Sequence, residues 1–258
     1  MKRQKKETSN KKETISFCSV KSHHVTKHLG LQYSPQLALL FPQRYESVVA
    51  SEGLIAVLES ARCGDLDMST DAGKSDVIMG FILEAQRHFP SHLSTMQQVK
   101  LIWKDFKGFI DIAVCTQDME SIILVVEAKR GWLNGKVYQL LAEAGCLLQQ
   151  RDEELGKKTP VLGLLSDGYR YQFFAIDERD KSVYSSNLIT LEISRTPNFR
   201  TNPQVSEILN WIIWFIKIVV AVSPPSTPQP FIPGKQPRVV PSKALMLREL
   251  RSCFTRGP

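Results

Sequence analysis

The chain has 258 residues, 43% apolar and 23% charged, which is long enough to bury a sizeable core and ordinary for a soluble globular protein. Its 33 Lys and Arg against 26 Asp and Glu give a net charge of +7, which favours an anionic partner such as nucleic acid or an acidic membrane surface. Five widely spaced cysteines, an odd number without a CxxC pair, exclude a disulfide framework and a zinc site and point to a reducing compartment.

Residues 1–14 hold Lys2, Arg3, Lys5, Lys6, Lys11 and Lys12 and read as a basic, disordered head; a nuclear-import signal or phosphate-binding arm is the sharper reading. No apolar run follows them, so a secretory signal is not expected. Residues 15–222 read as one domain with an N-terminal extension. The extension's clearest element is a helix over 51–62, with Leu54, Ile55, Leu58 and Ala61 on one stripe. Residues 64–74 read as a loop. Asp65, Asp67, Ser69 and Asp71 imitate a calcium loop but have Thr70 at the glycine position. Gly73-Lys74-Ser75 imitates the end of a phosphate-binding loop without its first glycine. His23, His24 and His28 read as ordinary basic-surface residues.

From 76 to 177 the pattern tightens into the core. Ser75 or Asp76 caps a helix to about residue 88, with Val77, Phe81 and Ala85 in register. Strands over 99–106 and 109–114 are expected around a turn at Gly108, with a third strand opening at Ile122. Asn134 and Gly135 open a helix to about residue 150. Strands over 161–165 and 171–176 flank a turn at Gly168, where Tyr169, Tyr171, Phe173 and Phe174 read as core and sheet-edge residues. A closing helix spans 203–222, and 223–258 reads as a Pro-rich, basic tail. The apolar stretch 208–222 is shorter than the ~20 residues a membrane span needs and carries Asn210 and Lys217. A helix packed on the sheet, or on a second copy in a homodimer, is expected rather than stable membrane insertion. The order helix, three strands, helix, strand implies an α/β fold with a mixed central sheet flanked by helices.

The stretch Ile122–Val126 is an unbroken apolar run that leads without a gap into Glu127, Ala128, Lys129 and Arg130. In an extended strand Glu127 and Lys129 share a face. The plain reading is a strand that reaches solvent, or an ion pair in an unrelated α/β protein. The chemical reading needs a second carboxylate, and Asp111 supplies one between Ile110 and Ile112. Two such acids on neighbouring strands repel, and a hard divalent cation between them resolves the repulsion. Glu84 on the preceding helix and Gln139 on the following one complete the set. Asp105-Phe106-Lys107 repeats the acid-x-Lys spacing but lacks an upstream strand with its own acid.

Glu84, Asp111 in GFIDIAV, Glu127 and Lys129 in ILVVEAKR, and Gln139 in YQLLAEAG together resemble the PD-(D/E)XK, or restriction-endonuclease-like, nuclease superfamily, over roughly 76–177. PVLGLLSDGYRYQFFAID looks like the last core strand pair of its eukaryotic members. Ile110 stands where the family's proline would. The resemblance implies an αβββαβ core and Mg²⁺ (or Mn²⁺) held by Asp111, Glu127 and the Ala128 carbonyl. It also implies that Lys129 guides the attacking water, Glu84 assists the metal and Gln139 orients the site. The expected activity is phosphodiester hydrolysis of nucleic acid, DNA before RNA, in the nucleus or cytoplasm. Lys104, Lys107, Arg130, Lys136 and Arg170 are expected phosphate contacts. The alternative is a module that keeps the fold and binds nucleic acid or a protein without cutting.

Overall fold

The structure is a computed structural model, and it describes residues 14–42, 48–89, 93–116, 122–128, 134–156, 158–222 and 242–256. It is α/β. Among the described residues the helices are α1 (Ser22–Leu29), α2 (Glu52–Cys63), α3 (Asp71–Gln86), α4 (Asn134–Leu155), α5 (Pro203–Val222) and α6 (Lys243–Ser252). They flank a ten-stranded sheet of β1 (Ile15–Ser16), β2 (Gln32–Leu39), β3 (Leu93–Trp103), β4 (Phe106–Thr116), β5 (Ile122–Ala128), β6 (Val161–Ser166), β7 (Arg170–Ile176), β8 (Ser182–Ser185), β9 (Ile189–Thr190) and β10 (Phe254–Arg256). The main path is β1-β4-β5-β6-β7-β8-β2-β10, with β3 beside β4 and β9 beside β7. The sheet is mixed: β5 and β6 run parallel across the α4 crossover, whereas β3–β4, β4–β5 and β6–β7 are antiparallel.

The expected order α-β-β-β-α-β appears as α3-β3-β4-β5-α4-β6. Of the places where the elements differ from expectation, three have a clear local reason. Helix α3 starts at Asp71, inside the expected loop, because Thr70 Oγ1 accepts the Gly73 N–H at 3.1 Å and caps it there. The β3–β4 turn lies at Lys104–Asp105, with Lys104 at φ 50°, not at Gly108. Gly108 lies inside β4, where a Cβ would sit 2.5 Å from Phe17 Cδ2. The tail reading fails for 242–256. There Ser242 Oγ caps α6, Met246 and Leu250 are buried, and β10 pairs antiparallel with β2. The basic head and most of the Pro-rich segment lie outside the described residues.

Side chains from the two sheet faces form two cores. One joins Val77, Phe81, Ile112, Val126, Leu164, Phe173 and most of α5, closed by α6; the other joins Phe17, Leu29, Phe106, Ile110, Val125, Leu140 and Phe174 around α1 and α4. Helix α5 is long and apolar enough to cross a membrane, yet 78% of its apolar window is buried within the fold. Trp211 stacks on Phe173 at 4.9 Å, and Trp214 Nε1 donates to Glu249 of α6 at 3.0 Å. It is the central core helix of this domain, covered by its own chain.

Candidate functional site

Ile110 and Ile112 are two residues apart and would share a face in a regular strand. They instead enter opposite cores, Ile110 with α1 and α4, Ile112 with α3 and α5. On β3, Leu93 packs against the second of these cores and Leu101 and Trp103 belong to the first. The alternation breaks where Gln98 adopts φ 51°, at the rung that faces Asp111. The β3–β4 ribbon therefore rolls over at this rung, and Asp111 is the β4 residue at the roll.

The β4–β5 ladder pairs Val114 with Leu124, Ala113 with Val125 and Ile112 with Val126. One residue further, Asp111 lies beside Glu127. Its Oδ2 accepts the backbone N–H of Ala128 at 3.0 Å, and its Oδ1 accepts Gln98 Nε2 at 3.2 Å. The Asp111 carboxylate is thus fixed against the peptide that joins Glu127 to Ala128. Glu127 is fully buried, while Asp111 is only half-buried. The two acids stand together at the C-terminal end of β5, one inside the protein and one at its surface. Lys129 and Arg130 lie outside the described residues.

Helix α4 brings in two more polar side chains. Gln139 is 5% exposed and donates through Nε2 to Glu143 Oε1 at 3.0 Å. Glu143 is fully buried, and the sequence reading does not single it out. The signal was present: Glu143 follows Gln139 by one helical turn, on the same stripe. Burial, and then the nearby Glu143 carboxylate, push the Cys146 thiol well above its ordinary range. Cys146 is therefore an inert core thiol.

Glu84 is buried but engaged elsewhere. Its carboxylate accepts from Ser51 N at 3.2 Å, Ser51 Oγ at 2.5 Å and Arg87 Nη1 at 3.3 Å, so it anchors the start of α2. Among the expected phosphate contacts, Lys104 pairs with Glu153 at 2.5 Å and lies over the Trp103 ring, and Arg170 pairs with Asp167 at 2.6 Å. Lys107 is exposed on β4, and Lys136 is half-buried on the first turn of α4. Tyr171, Phe173 and Phe174 are core residues, as expected.

Among the described residues no group of three or more His, Cys, Asp or Glu side chains gathers as a metal site. The ligands that the resemblance implies at the end of β5, the Asp111 and Glu127 carboxylates and the Ala128 carbonyl, are all oxygen. That chemistry suits a hard divalent cation such as Mg²⁺, which commonly takes one or two carboxylates and keeps several waters. No family model matches the chain, and no curated protein matches it.

Proposed function

We propose that the chain is a metal-dependent nuclease of the PD-(D/E)XK type, acting on DNA or RNA inside the cell. The observation that carries this reading is the Asp111 carboxylate held on the Ala128 N–H, beside Glu127, at the end of β5. Asp111, Glu127 and the Ala128 carbonyl would hold Mg²⁺ or Mn²⁺. The ion, when bound, supplies Lewis-acid activation of water and charge compensation for the phosphate. The remaining work falls to the chain. The Ala128 N–H and Gln98 fix the aspartate's rotamer, so it needs no reorganisation to act as a donor. Burial of Glu127 keeps water from its inner side. Gln139, bonded to Glu143 on α4, the helix that follows in the chain, would orient the site. Lys129, two residues after Glu127 in the sequence, would position the nucleophilic water. The five cysteines, none paired, agree with a reducing compartment.

A second reading, a non-cutting module with the same fold, draws on Glu84, whose carboxylate is used by Ser51 and Arg87. A metal exchange separates the two. Protein stripped with EDTA and refilled with Mg²⁺ or Mn²⁺ should cleave single- or double-stranded DNA or RNA, and refilled with Ca²⁺ should bind with little cleavage. Binding without cleavage under Mg²⁺ and Mn²⁺ on all four substrates would leave the non-cutting module.

A further inference from the structure

Past the roll at Gln98, the β3–β4 ribbon has one face on the α1–α4 core and one face in solvent. The solvent face reads, rung by rung, Gln98 and Asp111, Lys100 and Phe109, Ile102 and Lys107. Phe109 is 53% and Ile102 56% exposed, in a chain whose other large aromatic side chains are mostly packed away. Lys100 and Lys107 are exposed, and among the described residues neither is ion-paired. The pairing sets each lysine opposite an apolar side chain, so cation and apolar surface alternate along and across the ribbon. The neighbouring Lys104 is different: Glu153 already neutralises it. Among the described residues the negative group on this face is Asp111 at its inner end, and Asp105 lies in the turn beyond its outer end.

We infer that this face is a docking surface for single-stranded nucleic acid, with Phe109 stacking on a base and Lys100 and Lys107 on the flanking phosphates. The inference rests on the nuclease reading and names the path by which substrate reaches that site. Exposed phenyl surface flanked by unpaired cations suits a strand that offers both base faces and phosphates. Position adds to this: at about 3.3 Å per residue, Phe109 stands roughly 7 Å from Asp111 and the Ile102–Lys107 rung roughly 13 Å. A base on Phe109 would thus place a neighbouring phosphate toward the acids.

The test is anisotropy of a labelled single-stranded DNA oligonucleotide, and its RNA counterpart, in Ca²⁺ over a salt series. Phe109→Ala should weaken binding between about 5- and 150-fold with no change in salt slope, since stacking is worth ~1–3 kcal/mol per base. Phe109→Trp should bind like wild type. Lys100→Ala with Lys107→Ala should flatten the plot of log K against log salt by about 1.4, at roughly 0.7 per phosphate contact on a single strand. Wild-type affinity and slope in all these variants, with cleavage still lost in Asp111→Asn, would overturn the ribbon inference and leave the nuclease reading standing. Dissociation of a dimer by Phe109→Ala without loss of binding would also overturn it, by assigning the face to a second copy. No binding by wild type would remove both.

Discussion

Replacing Asp111 separates what its carboxylate does for the fold from what it does for chemistry. Among the described residues the side chain accepts from the part-buried Ala128 N–H and from the exposed Gln98 amide. Asp111→Ala removes both acceptors. Gln98 turns to water at little loss, but the Ala128 N–H is left facing an apolar methyl, which costs about 1–3 kcal/mol. For a chain of this size, at roughly 2–4 °C per kcal/mol, the melting temperature should fall by about 2–12 °C. Asp111→Asn should behave differently. Its carbonyl oxygen keeps the Ala128 N–H, and its amide donates to Gln98 once that side chain flips, so the loss should stay below about 1 kcal/mol. Relief of repulsion with Glu127 offsets part even of that. Thermal and urea unfolding followed by circular dichroism measures both, and a cleavage assay on the same samples should show both variants inactive. An Asp111→Ala protein as stable as wild type would refute the clasp. Cleavage by Asp111→Asn would refute the carboxylate's role as a donor.

Three further outcomes follow from the packing. Gly73→Ala places a Cβ 2.2 Å from the Asp67 carbonyl oxygen, backbone that cannot step aside, and should lose several kcal/mol. Gly80→Ala on the same helix meets only side chains at 3.4 Å and should lie within about 1 kcal/mol of wild type by chemical denaturation. Trp211→Ala empties the stack on Phe173 and should destabilise by about 3–5 kcal/mol, while the wild type stays in aqueous buffer without detergent. Asp177 is 1% exposed; burial alone would raise its pKa, but the Arg179 guanidinium and backbone bonds, helped by Arg251, hold it below the ordinary value. Its stabilising contribution is therefore present above the unfolded value and lost as pH falls through the folded one. The stability gap between wild type and Asp177→Asn should close below about pH 4, and a gap that widens in acid would reverse the sign.

Much of the frame is legible in residue order, because α4, β5, β6 and α5 are long, apolar and bounded by ordinary signals. The β3–β4 hairpin is harder, because its turn and its roll both rest on non-glycine residues at positive φ, Lys104 and Gln98. Nothing in those side chains announces the conformation, whereas Gly108 draws a turn assignment although its small size serves the Phe17 contact. Helix α6 is masked by proline and charge nearby, yet Ser242 and the spacing of Met246, Leu247 and Leu250 mark a capped, one-sided helix. At the site, the pairing of Asp111 with the Glu-Ala segment follows from two adjacent strands and could be read in advance. Glu143 is marked only by standing one helical turn after Gln139, and the commitment of Glu84 to Ser51 depends on where α2 docks, a tertiary fact no local pattern carries.

The most direct measurement is single-turnover cleavage of a labelled nucleic acid in Mg²⁺ by wild type, Glu127→Gln and Lys129→Ala, each first shown to be folded and each titrated with Ca²⁺ by calorimetry. The nuclease reading predicts cleavage by wild type alone. Cation binding should be weakened in Glu127→Gln and kept in Lys129→Ala, because the lysine serves the nucleophile and not the ion. Cleavage undiminished in Lys129→Ala, or no cleavage by folded wild type that binds both the cation and the nucleic acid, would contradict it.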